Sequence, residues 1–140
     1  MNAKHLATFA LAATILLLLA ACAGAGGTTG DPLNGTSWRL TMLDGASLVP
    51  GTEITATFED GEVSGKACNT YGGEYQVSGD KLTITRVFWT EMACLDPQGI
   101  MEQETAYLKL LTTAQSFELA AGRLLIVGAG GEELAFAPAQ

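Results

Sequence analysis

The chain has 140 residues, of which 48% are hydrophobic, and its 15 acidic and 7 basic residues leave a formal net charge of −8. This length is enough for one domain with a modest core and excludes two. The acidic balance opposes binding to nucleic acid and to anionic lipid headgroups, so we expect any charged partner to be basic.

The N-terminal segment predicts export from a bacterial cell. Lys4 supplies the positive start, and an apolar run follows from Leu6 to Ala20. This run is shorter than the roughly 20 apolar residues that a spanning helix needs. It ends in Leu-Ala-Ala-Cys at residues 19–22, the cleavage pattern of bacterial lipoproteins. We therefore predict a signal peptide over residues 1–21, with cleavage without lipidation and an uncleaved anchor as the alternatives.

Cys22 is the predicted lipid attachment site. Its thiolate can accept a diacylglyceryl group, and at roughly 0.8 kcal/mol per buried methylene, two or three chains such as palmitate hold a protein to a membrane almost permanently. The predicted location is the bacterial cell envelope, with the membrane as a partner through the lipid anchor. Ala23 follows in place of aspartate, which favours the outer membrane, facing the periplasm, if the source has two membranes.

The exported chain would contain no histidine, because His5, the single histidine, lies within the predicted signal peptide. This excludes Ser-His-Asp and Cys-His nucleophile pairs and histidine-containing zinc or iron sites. We predict no catalytic residues, no cofactor and no metal site, and we expect a protein that is not an enzyme.

A flexible tether is predicted over residues 22–32. Glycine, alanine and threonine dominate from Ala23 to Asp31, and these residues offer nothing to bury and high backbone entropy. The folded domain is predicted over residues 33–140, beginning near Leu33.

Hydrophobic alternation with a period of two predicts antiparallel strands through most of this domain. Trp38, Leu40 and Met42 alternate with polar residues before an Asp44-Gly45 turn. Similar short apolar segments between turn residues occur at Ile54–Phe58, Tyr75–Val77, Leu82–Ile84, Phe117–Leu119, Leu124–Val127 and Leu134–Phe136.

One segment predicts a helix instead. Asp96 suits an N-cap, Pro97 suits the first helical position, and residues 101–111 lack the strand alternation. One apolar side is predicted to cover an open end or face of the sheet. The predicted fold is α+β, mostly β: a curved antiparallel sheet or small open barrel with one packed helix. The apolar side of the helix comprises Ile100, Tyr107, Leu108 and Leu111.

Cys68 and Cys94 are the two cysteines that lipidation would leave free. In an exported protein they are predicted to form a disulfide. Closing the loop of chain between the two cysteines would stabilise the fold by about 3.5 kcal/mol. A buried pair of thiols and a redox or metal role are the alternatives. Two soft ligands so far apart in sequence, without a histidine, make a poor metal site.

Four segments of the chain resemble motifs of one protein family. These are LNGTSWRL at 33–40, VSGKACNTY at 63–71, TEMAC at 90–94 and MEQE at 101–104. In this order and spacing they resemble the META domain family, typified by the bacterial heat-shock protein HslJ. The resemblance covers nearly all of the predicted domain.

The resemblance implies a compact β-rich fold, frequent occurrence in exported proteins and lipoproteins, and an association with heat or envelope stress and sometimes antibiotic tolerance. It implies no agreed enzymatic activity. Read physically, Trp38 is predicted to fill the core and Gly65 to allow a bulge or close backbone approach. Asn69 is predicted to bridge backbone groups beside the disulfide.

The leading functional hypothesis is a non-enzymatic, envelope-tethered module that acts in stress tolerance by binding an envelope protein or a small apolar ligand. Tyr71, Tyr75, Phe88 and Trp89 are the candidate ligand-binding residues, with core packing as the alternative for each. Because Phe88 and Trp89 are consecutive, they must point to opposite faces of a strand.

Two other functions stay open. The first is an inhibitor of a basic hydrolase such as lysozyme, toward which negative charge would steer the protein. The second is a carboxylate-dependent glycan hydrolase, whose two carboxyl groups would lie roughly 5 to 10 Å apart. Glu74 and Glu91 are the candidates for that pair, although no spacing in the sequence joins them.

Overall fold

The computed structural model describes residues 30–140. The predicted signal peptide, the predicted lipid site Cys22 and the tether up to residue 29 lie outside the described residues. Asp31, within the predicted tether, contacts the folded domain: its carboxylate accepts hydrogen bonds from the N–H of Leu33 at 2.9 Å and from the hydroxyl of Tyr75. Within residues 30–140, no helix is long and apolar enough to cross a membrane.

Nine strands and one helix form the described part of the chain. In order they are β1 (Thr36–Leu43), β2 (Ala46–Ser47), β3 (Thr55–Glu59), β4 (Glu62–Lys66), β5 (Thr70–Ser78), β6 (Lys81–Trp89), α1 (Ile100–Thr112), β7 (Ala114–Ala120), β8 (Arg123–Gly128) and β9 (Glu133–Pro138).

Eight of these strands close into an antiparallel barrel. The sheet order is β1-β3-β4-β5-β6-β7-β8-β9, and β9 pairs back to β1, while the short strand β2 forms a hairpin with β1. The closing pairing aligns Leu40 with Phe136 and Leu43 with Leu134. The predicted mostly β fold with one packed helix is confirmed. The sequence predicted either a curved sheet or a small open barrel, and the structure is a barrel that is closed.

The alternating apolar residues point into the barrel. Trp38 is buried, and its indole N–H donates to the hydroxyl of Thr36 at 2.7 Å, so its one polar atom is satisfied within the core. The inward alternation ends before Met42, which is 42% exposed because a register shift against β9 occurs between Leu40 and Met42.

The helix α1 begins later than the sequence predicts. Asp96 is not its N-cap, because a turn intervenes: the N–H of Ile100 donates to the carbonyl of Pro97 at 3.2 Å. Gly99 precedes the helix in the left-handed region with φ 91°, a conformation that glycine adopts without a steric penalty. Of the predicted apolar side, Tyr107, Leu108 and Leu111 are buried against the barrel, and Ile100 is partly buried.

Two polar side chains of α1 are also buried, which hydrophobic periodicity does not predict. Gln103 accepts a hydrogen bond from the N–H of Val49 at 2.6 Å and donates to the hydroxyl of Thr52 at 2.9 Å. It therefore fastens the loop after β2 to the helix. The second buried polar residue, Glu104, belongs to the candidate site.

Candidate functional site

A bulge in β6 decides which aromatic side chain faces which way. Before the bulge, Leu82 and Ile84 point inward. The register against β5 then shifts, and Arg86 adopts a left-handed φ of 52°. An extra residue of this kind reverses the facing of all side chains that follow. Val87 therefore packs on the core, and Trp89 lies on the inner face, opposite Tyr71.

Phe88 lies on the outer face of the barrel. Its ring covers Gly72, where a Cβ atom would come within 2.7 Å of the ring's Cζ, so the absence of a side chain at Gly72 makes room for it. Phe88 is nevertheless 68% exposed. Phe88 and Trp89 therefore point to opposite faces, as predicted, and do not contribute to one site.

A groove of about 550 Å³ lies between the segment that follows β6 and the helix α1. Trp89 and Met92 lie on one side of it, and Met101, Leu108 and Lys109 lie on the other. We call it the Trp89 groove. Its remaining lining residues are Asn69, Glu91, Ala93, Glu104, Thr105 and Thr112.

Two exposed apolar side chains, Trp89 and Met92, line this groove. Among residues 30–140, six large hydrophobic side chains are exposed, and four of them, Phe88, Trp89, Met92 and Leu95, lie between residues 88 and 95. Phe88 lies on the outer face and outside the groove. Apolar side chains that are exposed together mark interaction surfaces, whereas isolated exposed residues need no explanation.

The base of the groove is a buried hydrogen-bond network centred on Asn69. Its backbone N–H and its side-chain NH₂ donate to the two carboxylate oxygens of Glu104, at 2.6 and 2.8 Å. Its side-chain oxygen accepts from the N–H of Met92 at 2.7 Å and from the hydroxyl of Thr90 at 2.9 Å. Asn69 thus bridges backbone groups, as predicted, and also fastens α1 to the segment after β6.

The disulfide joins the same two parts of the chain. Cys68 is bonded to Cys94, with their Cα atoms 6.2 Å apart. The sulfur of Met101 lies 3.7 Å from that of Cys68 and accepts the N–H of Cys94 at 3.4 Å. The segment that borders the groove is therefore held at one end by β6 and at the other by a covalent link.

The two candidate tyrosines lie in the core and not in the groove. The Tyr71 hydroxyl donates to the carbonyl of Thr55 at 2.7 Å and lies 2.6 Å from the Tyr107 hydroxyl, which must then donate to it. Burial raises the pKa of both Tyr71 and Tyr107. Burial, the hydrogen bond to Asp31 and its negative charge raise the pKa of Tyr75. These neutral phenols act as structural hydrogen-bonding groups.

Of the four candidate ligand-binding residues, the structure therefore brings only Trp89 to the groove. Tyr71 and Tyr75 are 1% and 3% exposed, since their inward positions on β5 fall within the closed barrel. Phe88 lies on the outer face. Core packing, the alternative given for each candidate, describes Tyr71 and Tyr75, and the groove contains a single aromatic residue.

The two carboxylates weighed for glycan hydrolysis line different depressions. Glu74 lies on the outer face, where it accepts a hydrogen bond from Arg86 at 2.6 Å. Glu91 lines the Trp89 groove. In the part of the chain that the structure describes, no three histidine, cysteine, aspartate or glutamate side chains gather where they could hold a metal ion.

Sequence reasoning missed the helix residues of the site: Met101, Glu104 and Leu108. Their signal was present, because positions 101, 104 and 108 follow the three- and four-residue spacing that puts side chains on one helix face. Glu104 was overlooked because a charged side chain is expected on the solvent side of an amphipathic helix.

Comparisons with known proteins agree with this architecture. The META domain family matches residues 31–140. The chain is similar to a protein from Burkholderia xenovorans solved by NMR, with 29% identity and a TM-score of 0.62 over 77% of this chain and 84% of that one. A second NMR structure has 25% identity and a TM-score of 0.62, covering 76% and 91% of the two chains.

A DUF4847 family protein from Bacteroides vulgatus ATCC 8482, solved by crystallography, shares the fold alone. It has 16% identity and a TM-score of 0.56, covering 76% of this chain and 94% of that one. Comparison with curated proteins finds no match.

Proposed function

Because the chain belongs to the META domain family, we propose that it is a non-enzymatic binding module of the bacterial cell envelope that acts in tolerance of heat or envelope stress. A lipid on Cys22 would hold it to the membrane. The single observation on which the proposal rests is the Trp89 groove, an open, mainly apolar groove with a half-exposed tryptophan.

The size and lining of the groove support binding. Its volume of about 550 Å³ falls in the range of small-ligand sites, which are mostly apolar with a few polar groups. Trp89 is 46% exposed although it lies on the inner face of its strand. A ligand that covers a tryptophan at such a position removes apolar surface from water, which stabilises the complex.

The polar groups at the base support a binding role over a catalytic one. Both oxygens of Glu104 accept hydrogen bonds from Asn69, so this carboxylate is engaged in holding the fold. A general acid or base must reach the proton of a substrate, and this network directs Glu104 toward Asn69 instead.

The anchor is tested by intact mass spectrometry of the protein from its own bacterial membrane. We expect an N-terminus at Cys22 bearing fatty acids, and we expect Cys22→Ser to move the protein to the soluble fraction. A mature form without fatty acids would remove lipid anchoring from the proposal.

The groove is tested with Trp89→Ala and its neighbour Phe88→Ala as the matched control. Both variants delete an exposed aromatic ring, but only Trp89 lines the groove. With the neutral apolar probe N-phenyl-1-naphthylamine, we expect Trp89→Ala to weaken binding about tenfold and Phe88→Ala to change it less than about twofold.

The same pair tests the biological role. In cells that lack the native protein, Phe88→Ala should restore survival under heat or envelope stress, and Trp89→Ala should not. Equal probe binding by both variants, or equal rescue by both, would show that the groove is not the binding site.

Charge favours a second candidate, the inhibition of a basic hydrolase such as lysozyme. All 15 acidic residues but only 6 of the 7 basic residues lie within residues 30–140, because Lys4 precedes them, so this part of the chain has a formal charge of −9. Such a charge steers a basic enzyme toward the protein. A lysozyme turbidity assay with micromolar protein tests this candidate, and unchanged lysis rejects it.

A further inference from the structure

Strand β6 has an open side beyond its first residues. It pairs with β7 only at Lys81 and Ser116, whereas its pairing with β5 continues to Trp89. The chain between these two strands forms the helix α1, which lies beside β6 and borders the Trp89 groove. The groove therefore separates a strand edge from a helix.

The chain stays extended after β6, as its hydrogen bonds show. The N–H of Thr90 donates to the carbonyl of Thr70 at 3.0 Å. The N–H of Met92 donates to the Asn69 side chain at 2.7 Å, and the Met92 carbonyl accepts from it at 3.2 Å. The backbone groups of residues 90 and 92 thus both point toward β5.

In an extended chain, the backbone N–H and C=O groups of successive residues point to opposite sides. The backbone groups of Trp89, Glu91 and Ala93 therefore point away from β5, toward the groove. In the described part of the chain, no hydrogen bond uses the backbone of Glu91 or Ala93. Residues 89–93, which we call the edge segment, are an unpaired strand edge.

We propose that the edge segment binds an extended peptide of a partner protein by β-strand addition, with the peptide lying between this edge and α1. This inference rests on the proposed binding function and specifies its ligand class. An unpaired edge supplies backbone hydrogen bonds to any extended chain, and adjacent pockets for alternate side chains supply selectivity.

The groove suits one set of alternate side chains of such a peptide. Trp89, Met92, Met101 and Leu108 make its lining largely apolar, so the residues that point toward α1 should be apolar. The residues between them would face solvent. A peptide that alternates apolar and polar residues has this pattern.

Charge decides between a peptide of another protein and a second copy of this chain. Pairing two edge segments would bring together two domains that each have a formal charge of −9, which opposes association. Glu91 lies within the edge segment itself, and Lys109 is the only basic residue among the described residues that line the groove. We therefore assign the site to a peptide with a net positive charge.

The experiment uses the exported protein with Cys22→Ser and an intact disulfide. A library of random nonapeptides displayed on phage is selected against it, and bound peptides are located by amide hydrogen exchange. We expect enriched peptides with alternating apolar residues and basic flanks. They should protect the amides of Glu91 and Ala93 and leave those of Thr90 and Met92, which are already bonded, unchanged.

Ala93→Pro is the matched variant, because it removes one groove-facing N–H that forms no hydrogen bond within the domain. We expect peptide affinity to fall at least about tenfold, with an unchanged unfolding midpoint. If the variant unfolds early, peptides with N-methyl groups at the positions that face the edge serve instead and should bind equally poorly to the unaltered domain.

The outcomes separate this inference from the proposed function. Peptides that perturb Trp89 without protecting the two edge amides, or a selection without enriched peptides while the apolar probe still binds, overturn strand addition alone. If the unaltered domain also fails to bind the apolar probe, the proposed binding function is overturned. If the protein self-associates and its edge amides become protected on dimerisation, the occupant of the site is a second copy of this chain and not a peptide.

Discussion

Asn69 and Glu104 form a buried two-point contact, through the backbone N–H and the side-chain amide of Asn69, at 2.6 and 2.8 Å. The contact joins the chain before β5 to the helix α1. Because Asn69 also holds the backbone of Met92, this pair positions both sides of the Trp89 groove. The stability of the domain and the shape of the groove are therefore coupled.

Replacing Glu104 with glutamine should destabilise the domain by about 2 to 4 kcal/mol. The glutamine NH₂ would face the donor groups of Asn69, and a buried donor without an acceptor costs its full desolvation free energy. Urea unfolding measures the loss. Glu118→Gln, on the exposed side of β7, is the control and should change stability by less than about 0.5 kcal/mol. If Glu104→Gln also changed stability by less than about 0.5 kcal/mol, the buried network would be contradicted.

The domain should lose stability at high pH because the pKa values of all three tyrosines are raised. Above pH about 10 the unfolded chain releases phenolic protons that the fold retains, so the free energy of unfolding falls with pH, by up to about 1.4 kcal/mol per tyrosine and pH unit. Below this pH the phenols are neutral in both states and have no effect.

Absorbance at 295 nm measures tyrosinate, and circular dichroism measures folding during the same titration. We expect tyrosinate to appear together with unfolding. Ionisation of the tyrosines near pH 10 in a domain that keeps its native spectrum would show that they are not buried.

Replacing Tyr71 or Tyr107, whose hydroxyls are hydrogen-bonded in the core, should lower the stability of the domain by different amounts. Tyr107→Phe removes one donor to Tyr71, which keeps its own bond to Thr55, and should cost about 1 kcal/mol. Tyr71→Phe leaves both the Thr55 carbonyl and the Tyr107 hydroxyl without this partner and should cost about 2 to 3 kcal/mol. Urea unfolding of the two variants compares them, and the reverse order would contradict the assigned donor direction.

Gly65→Ala should destabilise the domain by about 3 kcal/mol or more, because a Cβ atom would overlap the backbone carbonyl of Thr55 and lie 2.6 Å from the Tyr71 hydroxyl. Gly30→Ala is the control, since nothing lies within 4 Å of its added Cβ. Thermal unfolding monitored by circular dichroism compares the two variants. Equal midpoints would show that β4 can move away from β3 at little cost.

Replacing both Cys68 and Cys94 with serine should lower stability by about 3.5 kcal/mol, since the unfolded chain regains the entropy of the closed loop. The variant should also lose affinity for the apolar probe, because the disulfide holds the far end of the segment that borders the groove. Unfolding in the presence and absence of a reductant provides the comparison: reductant should destabilise the native domain and leave the double variant unaffected.

Local patterns predicted the elements whose physical determinants are close together in sequence. Alternation located most strands, and the position of Gly65 indicated a close backbone approach, which the Thr55 carbonyl explains. The strand β4 around Gly65 and the first half of β5 around Gly72 were not predicted, because glycines interrupt the alternation. Met42 and Trp89 show the same limit, since a bulge reverses the face of a residue without changing its neighbours in sequence.

The sequence by itself determined the family, the mostly β character and the amphipathic helix, because these depend on residue order and on periodicities of a few positions. Only the tertiary structure decided that β1 and β9 close the barrel, that Asn69 meets Glu104, and that the edge segment faces an open groove. Each of these joins residues far apart along the chain. Such contacts depend on the register of every intervening strand, and a single bulge shifts that register.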